Sequence, residues 1–205
     1  MVQVENPKLS DRPHPMLPSP NAVKLYKRWL STAREERSET AIPNELPWHS
    51  RCAVAELTRF ALECQQSQED SQTEIRLFTG TITSNVYDID WTKQVCQFLD
   101  AGGAIRILVW NDHISGSVKR RLSPITDHPA GRVIKSGTRR GGEDLNHFYV
   151  VGDQAFRKEA PHDYCDGEKF SDVEPEIPAQ ICFNDPKEAM NLIGIFDQVW
   201  EACEK

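Results

Sequence analysis

A histidine, a tyrosine, an arginine and a glutamate occupy two adjacent short runs, HFYVV from His147 to Val151 and AFRKE from Ala155 to Glu159. Each run has the length of a strand, and Gly152-Asp153-Gln154 between them is short enough for a hairpin turn. Alternation along a strand puts His147, Tyr149 and Val151 on one face of the first run. It puts Arg157 and Glu159 on one face of the second, with Lys158 on the other. A suitable hairpin register brings His147, Tyr149, Arg157 and Glu159 onto a common surface, and a one-residue slip reverses the facing. Histidine titrates near neutral pH, so His147 can serve as a nucleophile or a phosphate ligand without a large pKa shift. The alternative is a hydrogen-bonded structural histidine. The Arg157–Glu159 pair either orients a ligand or satisfies itself.

Upstream lies a basic segment in an otherwise acidic chain: Lys119, Arg120, Arg121, Arg132, Lys135, Arg139 and Arg140. The planar guanidinium fork suits phosphate oxygens. Ligands of parallel α/β sheets gather beyond the carboxyl ends of the strands, where the Arg139-Arg140 loop should emerge. The alternative is a solvated helix face followed by a loop. Asn184 can bond a ligand or cap the helix that Pro186 opens. His162, Asp163, Cys165 and Asp166 have a metal-like composition but share one loop with no helical or strand spacing, so no metal is expected.

The elements that must carry these residues follow from periodicity. Val23, Tyr26, Trp29, Leu30 and Ala33 predict a helix over about 22–37, and a polar loop to Asn44 follows. A second helix starts near Pro47, with Ala53, Val54, Leu57, Phe60, Ala61 and Cys64 on its apolar face. EIRLFT (74–79) and AIRILVW (104–110) read as strands, joined by a helix from about Asp90 to the Gly102-Gly103 stop. That βαβ spacing predicts parallel strands buried on both faces. A short helix over 115–122, a strand over 132–136, the hairpin, a strand over 179–183 and a closing helix complete the order. The expected fold class is α/β, with a mixed, largely parallel sheet flanked by helices and an N-terminal helical extension. Residues 1–20 are expected to form a flexible Pro-rich arm, 21–70 a helical segment packed on the domain, and 71–205 the α/β domain.

The chain has 205 residues, 39% of them apolar, which is enough for a packed core. No run approaches the ~18 apolar residues of a membrane span. With 24 basic and 31 acidic residues, the net charge of -7 disfavours a general grip on nucleic acid but leaves a local patch open. The six cysteines form no CxxC pair, and no secretory signal is visible, so free thiols and a cytoplasmic setting are expected.

Over residues 74–203 the sequence resembles the phospholipase D-like superfamily. The matching pieces, in order, are IRLFTG, VYD, a helix running into LDAGGAIRILVWND, then HFYVVGDQAFRKE, and finally AQICFNDPKEAMNLIGIFDQVWEAC. The fourth stands where the superfamily carries its HxKxxxxD strand. There the resemblance implies a histidine nucleophile that forms a phospho-histidine, a lysine that neutralises the non-bridging oxygens, and two such motifs per site. This chain departs from that pattern. Tyr149 stands in place of the lysine, Gln154 in place of the aspartate with Asp153 one residue early, and Arg157-Lys158-Glu159 in place of the Gly-Ser. The resemblance therefore implies a degenerate motif in a single domain. The expected function is binding of a phosphate-bearing ligand, a nucleotide or a nucleic-acid end, in the vestigial cleft, as a sensor or assembly module. The expected site residues are His147 as the one catalytic candidate, with Lys135, Arg139, Arg140, Tyr149, Arg157, Glu159 and Asn184 around the ligand. No cofactor, no metal and no membrane are expected, and a homodimer is. Two alternatives stay open: a homodimeric, metal-independent phosphodiesterase or nuclease that uses His147, and a protein–protein interaction module.

Overall fold

A computed structural model of the chain describes residues 18–44, 46–67, 72–80, 82–110, 116–135, 145–160 and 178–203, apart from the side chains of Pro47, Ile134 and Lys135. The first helix, α1 (Pro20–Glu35), starts earlier than its apolar spacing predicts. Pro20 suits the first turn, and Ser19 caps it by accepting from the Ala22 amide at 3.2 Å. Tyr26, Leu30 and Ala33 are its buried stripe, whereas Trp29 is 48% exposed and not part of the core. The stretch expected to be loop contains a two-residue strand, β1 (Ile42–Pro43). Helix α2 (Pro47–Ser67) follows.

The βαβ unit is β2 (Glu74–Thr79), α3 (Ile89–Asp100) and β3 (Ala104–Val109). Asp88 caps α3, taking the Trp91 amide at 2.8 Å. Helix α4 (Gly116–Thr126) runs past its expected end at residue 122, with Pro124 inside it. The Ser123 hydroxyl donates to the Arg120 carbonyl at 2.9 Å, the acceptor that proline leaves without a backbone donor. Strands β4 (Gly131–Lys135), β5 (His147–Val151), β6 (Ala155–Glu159) and β7 (Ala179–Cys182) precede the closing helix α5 (Pro186–Cys203).

The seven strands form one sheet in the order β1-β7-β6-β5-β2-β3-β4. It is mixed and flanked by helices, as expected, but it is not largely parallel. Only the β2–β3 and β3–β4 pairings are parallel, and the other four are antiparallel. The reason is the hairpin. Strand β5 lies against β2 in the opposite direction, tight turning forces β6 antiparallel to β5, and β7 then adds antiparallel to β6.

Helices α1 to α4 contribute to the core on one face of the sheet. On the other, Ala189, Leu192, Phe196 and Trp200 of α5 pack on Phe78, Leu108, Phe148, Val150, Phe156 and Cys182. Burial from both sides explains why β2 and β3 end in uninterrupted buried runs.

The extension is keyed to the rest by charge as well as by packing. The Glu56 carboxylate on α2 is buried and accepts from Arg34 Nε on α1 at 2.9 Å, with Arg59 on its second oxygen. Arg34 also pairs with Glu63. Removing one member of such a pair leaves the other desolvated and unmatched. Glu56→Ala is therefore expected to lower unfolding stability by about 3–5 kcal/mol. Glu35→Ala, which removes an exposed partner of the same Arg34, should change it by no more than about 1 kcal/mol. Urea denaturation of the two variants checks both values.

Candidate functional site

The strand registers draw a row of residues across one end of the sheet. Lys135 lies beside Val109, Val109 beside Thr79, His147 beside Glu159, and Glu159 beside Ala179. The β2–β5 pairing aligns Phe78 with Phe148 and so brings Thr79 alongside His147. This is the carboxyl end of the three parallel strands. The loop from Gly80 leaves from it, and α3 and α4 point their N-terminal ends toward it.

His147 is half-buried in this row. A Cβ on Gly80 would sit 3.0 Å from both Cε1 and Nε2 of its ring, so a side chain there would make the imidazole shift by a few tenths of an ångström. Phe78 meets the ring edge-on at 6.4 Å.

The hairpin register is the one that unites the four residues. His147 pairs with Glu159 and Tyr149 with Arg157, all on the face covered by α2. Tyr149 is 1% exposed, and its hydroxyl lies 2.9 Å from Thr58 Oγ1 on α2. Thr58 also donates to the Val54 carbonyl at 2.7 Å, which leaves its oxygen to accept from the tyrosine. Burial pushes the Tyr149 phenol up to about 12.

Arg157 is 5% exposed. Its Nε donates to Asn44 Oδ1 at 2.5 Å and its Nη2 to Ser50 Oγ at 2.7 Å, while Glu159 Oε2 lies 2.5 Å from Nη2. Asn44 is fixed in turn. Its Nδ2 donates to the Tyr26 hydroxyl at 3.1 Å, that hydroxyl donates to the Pro43 carbonyl at 2.9 Å, and the Asn44 amide donates to the Ala179 carbonyl at 2.8 Å. On the other side Tyr87, buried and hydrogen-bonded to Thr79, lies within the field of Arg157 and Glu159. Burial pushes its phenol well up. A polar network thus runs from α1 and β1 through Arg157 and Glu159 to the strand pair that holds His147.

Not every expected residue joins this group. Lys135 ends β4 in the same row but three strands from His147, about 14 Å at the usual interstrand spacing. Arg139 and Arg140 lie outside the described residues, as do His162, Asp163, Cys165 and Asp166. Asn184 sits at the opposite end of the sheet, next to Asp185, whose amide donates to Gln154 in the hairpin turn at 2.9 Å. Because β7 runs antiparallel to β6, its carboxyl end points away from His147. Nor does Asn184 cap α5: the Glu188 amide bonds Asp185 Oδ1 at 3.1 Å. Asn44, Ser50, Thr58 and Tyr87 are the members that sequence reasoning missed. The bond from Asn44 to Arg157 spans 113 positions, and no local pattern announces it.

No protein-family model matches the sequence, and no curated protein matches it either. Among solved structures, the chain is similar to NucT from Helicobacter pylori. The identity is 11%, with 80% of this chain and 97% of that one covered, at a TM-score of 0.54. The chain has the phospholipase D-like fold. Weaker likenesses extend to Nuc from Salmonella typhimurium, a phospholipase D family member (11% identity, 70% of this chain and 86% of that one, TM-score 0.46), and to TrmBL2, an archaeal chromatin protein with its own mode of DNA binding (14% identity, 89% of this chain and 62% of that one, TM-score 0.45). Within the phospholipase D-like fold the hairpin β5–β6 is the strand pair that brings His147 to the sheet's end. Among the described residues, no cluster of His, Cys, Asp and Glu has the arrangement to hold a metal ion. No helix there is long and apolar enough to cross a membrane.

The network sets two expectations. Asn44→Ala strands a buried guanidinium and should lower stability by about 2–4 kcal/mol, whereas Arg157→Met in the Asn44→Ala background should recover most of that loss. Chemical denaturation of the single and double variants measures this. The phenols give a pH signature. The folded state keeps the Tyr149 proton at pH values where the unfolded chain, titrating near 10, has lost it. Stability is therefore full below about pH 10 and falls as pH rises toward 12, at up to about 1.4 kcal/mol per unit for this residue. Tyr149→Phe should flatten the fall, and tyrosinate absorbance followed through the same range should show the missing titration.

Proposed function

We propose that the chain binds a phosphate-bearing ligand, a nucleotide or a nucleic-acid end, at the His147 end of the sheet without turning it over, as a sensor or assembly module. The observation that carries this reading is the fate of the two groups that could replace the missing lysine. Tyr149 is neutral, buried and bonded to Thr58. Arg157 is cationic, but its Nε and Nη2 are already committed to Asn44, Ser50 and Glu159. Neither offers a free cation to the non-bridging oxygens of a phosphoryl group, and without one a histidine nucleophile lacks the charge stabilisation that phosphoryl transfer needs.

Binding asks for less than turnover. His147 supplies an imidazole at the strand end. Lys135 ends β4 at the same end of the sheet, Arg139 and Arg140 follow it in the sequence, and the N-terminal ends of α3 and α4 add their partial positive charge. The NucT likeness supports the fold in which such a cleft sits. Under this reading Arg157 is a positioning residue. It holds Glu159, and Glu159 stands across the hairpin from His147.

The deciding experiment is metal-free hydrolysis of bis-p-nitrophenyl phosphate and of single- and double-stranded DNA and RNA by the wild type and by His147→Ala. Thermal unfolding with thymidine monophosphate is followed on the same samples, with the oligomeric state recorded. The expected result is no turnover by either protein, with the nucleotide protecting the wild type by about 2–3 kcal/mol at a hundredfold excess over its Kd. His147→Ala should lose most of that protection. Hydrolysis by a wild-type dimer that vanishes in His147→Ala overturns the non-catalytic reading in favour of a variant phosphodiesterase.

A further inference from the structure

Among the described residues, every arginine that is buried or half-buried faces a carboxylate, with one exception. Arg34 pairs with Glu56, Arg76 and Arg106 with Glu74, and Arg157 with Glu159. Arg121 on α4 is half-buried and pairs with none of them, and its Nε and Nη2 are buried with no hydrogen-bond partner. Those two atoms are the side-on fork of a guanidinium, the edge that can grip two oxygens at once. Arg106 uses the same fork in full: its Nε donates to Glu74 Oε1 at 2.5 Å and its Nη2 to Glu74 Oε2 at 3.0 Å. In Arg121 the fork is empty. Burial pushes its pKa down, and the field of the Asp88 carboxylate opposes that. Asp88 is itself engaged, accepting from the Trp91 amide at 2.8 Å and lying 4.0 Å from Arg51.

The place of this arginine in the fold gives the empty fork its meaning. Arg121 stands on the inward stripe of α4, between Val118 and Ile125 at helical spacing, where an apolar side chain ordinarily packs. Helical side chains lean toward the N-terminus, so the guanidinium is carried back toward the Gly116 end of the helix. That is the end of the sheet at which His147 lies. The face is the same as well, because α2, α3 and α4 cover one side of the sheet and α4 packs on α3. Asp88 marks the level. It opens α3 next to Tyr87, whose hydroxyl bonds Thr79, the residue alongside His147.

A buried fork without an acceptor costs free energy that an anion with two oxygens recovers. Carboxylates and phosphates both offer such a pair. Lys119 and Arg120 are exposed on the same helix and Lys135 ends β4 at the same end of the sheet, and together they favour the more highly charged phosphate. The fork is enclosed, and a terminal phosphate with one sugar attached needs less room beside it than a diester with a sugar on each side. We infer that Arg121 binds a terminal phosphate, the phosphomonoester of a nucleotide or of a nucleic-acid end, gripping two of its oxygens through Nε and Nη2. This inference rests on the proposed phosphate-binding function and names the group which that site holds. His147 meets the ligand from the strand side and Arg121 from the helix side. The phosphate is thus gripped by α4 and not by the hairpin, in keeping with binding without turnover.

Calorimetric titration of the full chain with thymidine monophosphate, beside urea denaturation without ligand, tests this. Arg121→Met keeps the bulk of the side chain and removes the fork. Its ligand-free urea midpoint should equal or exceed that of the wild type, because unmatched buried donors are gone. Its affinity for thymidine monophosphate should fall about tenfold or more. Arg121→Lys keeps the charge without the fork and should not restore wild-type affinity. Oligothymidylates with a 5′-phosphate or a 5′-hydroxyl separate the two sources of the group. Tighter binding of the phosphorylated strand that Arg121→Met abolishes supports a nucleic-acid end, whereas thymidine monophosphate bound and both strands ignored supports a free nucleotide. Equal binding of the two strands, weakened equally by Arg121→Met, overturns the terminal group in favour of a backbone diester. A lower ligand-free midpoint in Arg121→Met, or its failure to fold, makes the arginine structural and overturns the assignment. Unchanged thymidine monophosphate affinity in Arg121→Met, with that affinity lost in His147→Ala, overturns it too and leaves the site standing. No binding of the monophosphate or of either strand by the wild type overturns the site itself.

Discussion

One buried guanidinium holds the two parts of this molecule together. Arg157 lies in the middle of the sheet's antiparallel half, almost without solvent, and every donor it spends is matched by a group from elsewhere in the fold. A desolvated cation is tolerable only when its partners are fixed. The partners therefore dictate where β1, the start of α2 and the end of β6 must lie. Moving any of them leaves a charge unanswered. The extension is in this sense a wall of the candidate site and not an appendage to a finished domain, and β1 completes the point by joining the sheet beside β7.

The same constraint decides what two polar side chains of the hairpin face. At the end of the sheet, Tyr149 faces Thr58 and Arg157 faces Asn44 and Ser50, so the polar atoms of the hairpin are bonded to α2 and the segment before it. What is left near the opening is an imidazole, a backbone close enough to touch it at Gly80, and the helix ends that face the same way.

Much of the fold was legible in the sequence because it rests on local patterns. The runs at 74–79, 104–109, 147–151 and 155–159, the glycine stop after α3 and the face of α5 all express period, length or a turn residue. Local pattern also sufficed to set His147 and Tyr149 on one face and Arg157 and Glu159 on another. Register, which turns those two faces into one surface, depends on pairing across the hairpin and was legible only as a condition. Strand direction beyond the βαβ unit was not legible, which is why the sheet reads as parallel in the sequence and is mostly antiparallel in space. Asn44, Ser50 and Thr58 carried no signal. Each has an ordinary local role in a loop or helix, and each gains its meaning from a partner far along the chain.

That separation has a consequence for how the chain reaches its native state. The two N-terminal helices are made first, yet the groups that satisfy their buried polar atoms arrive late: Tyr149 comes 91 positions after Thr58, and Arg157 comes 113 positions after Asn44. Loop closure over such distances is an entropic cost met before any of these contacts forms, and it slows folding. During synthesis the apolar stripes of α1 and α2 must wait, with Asn44 and Ser50 still hydrated, until β6 has emerged. A nascent chain halted before residue 157 holds Asn44 and Ser50 without the guanidinium that they bond in the finished fold.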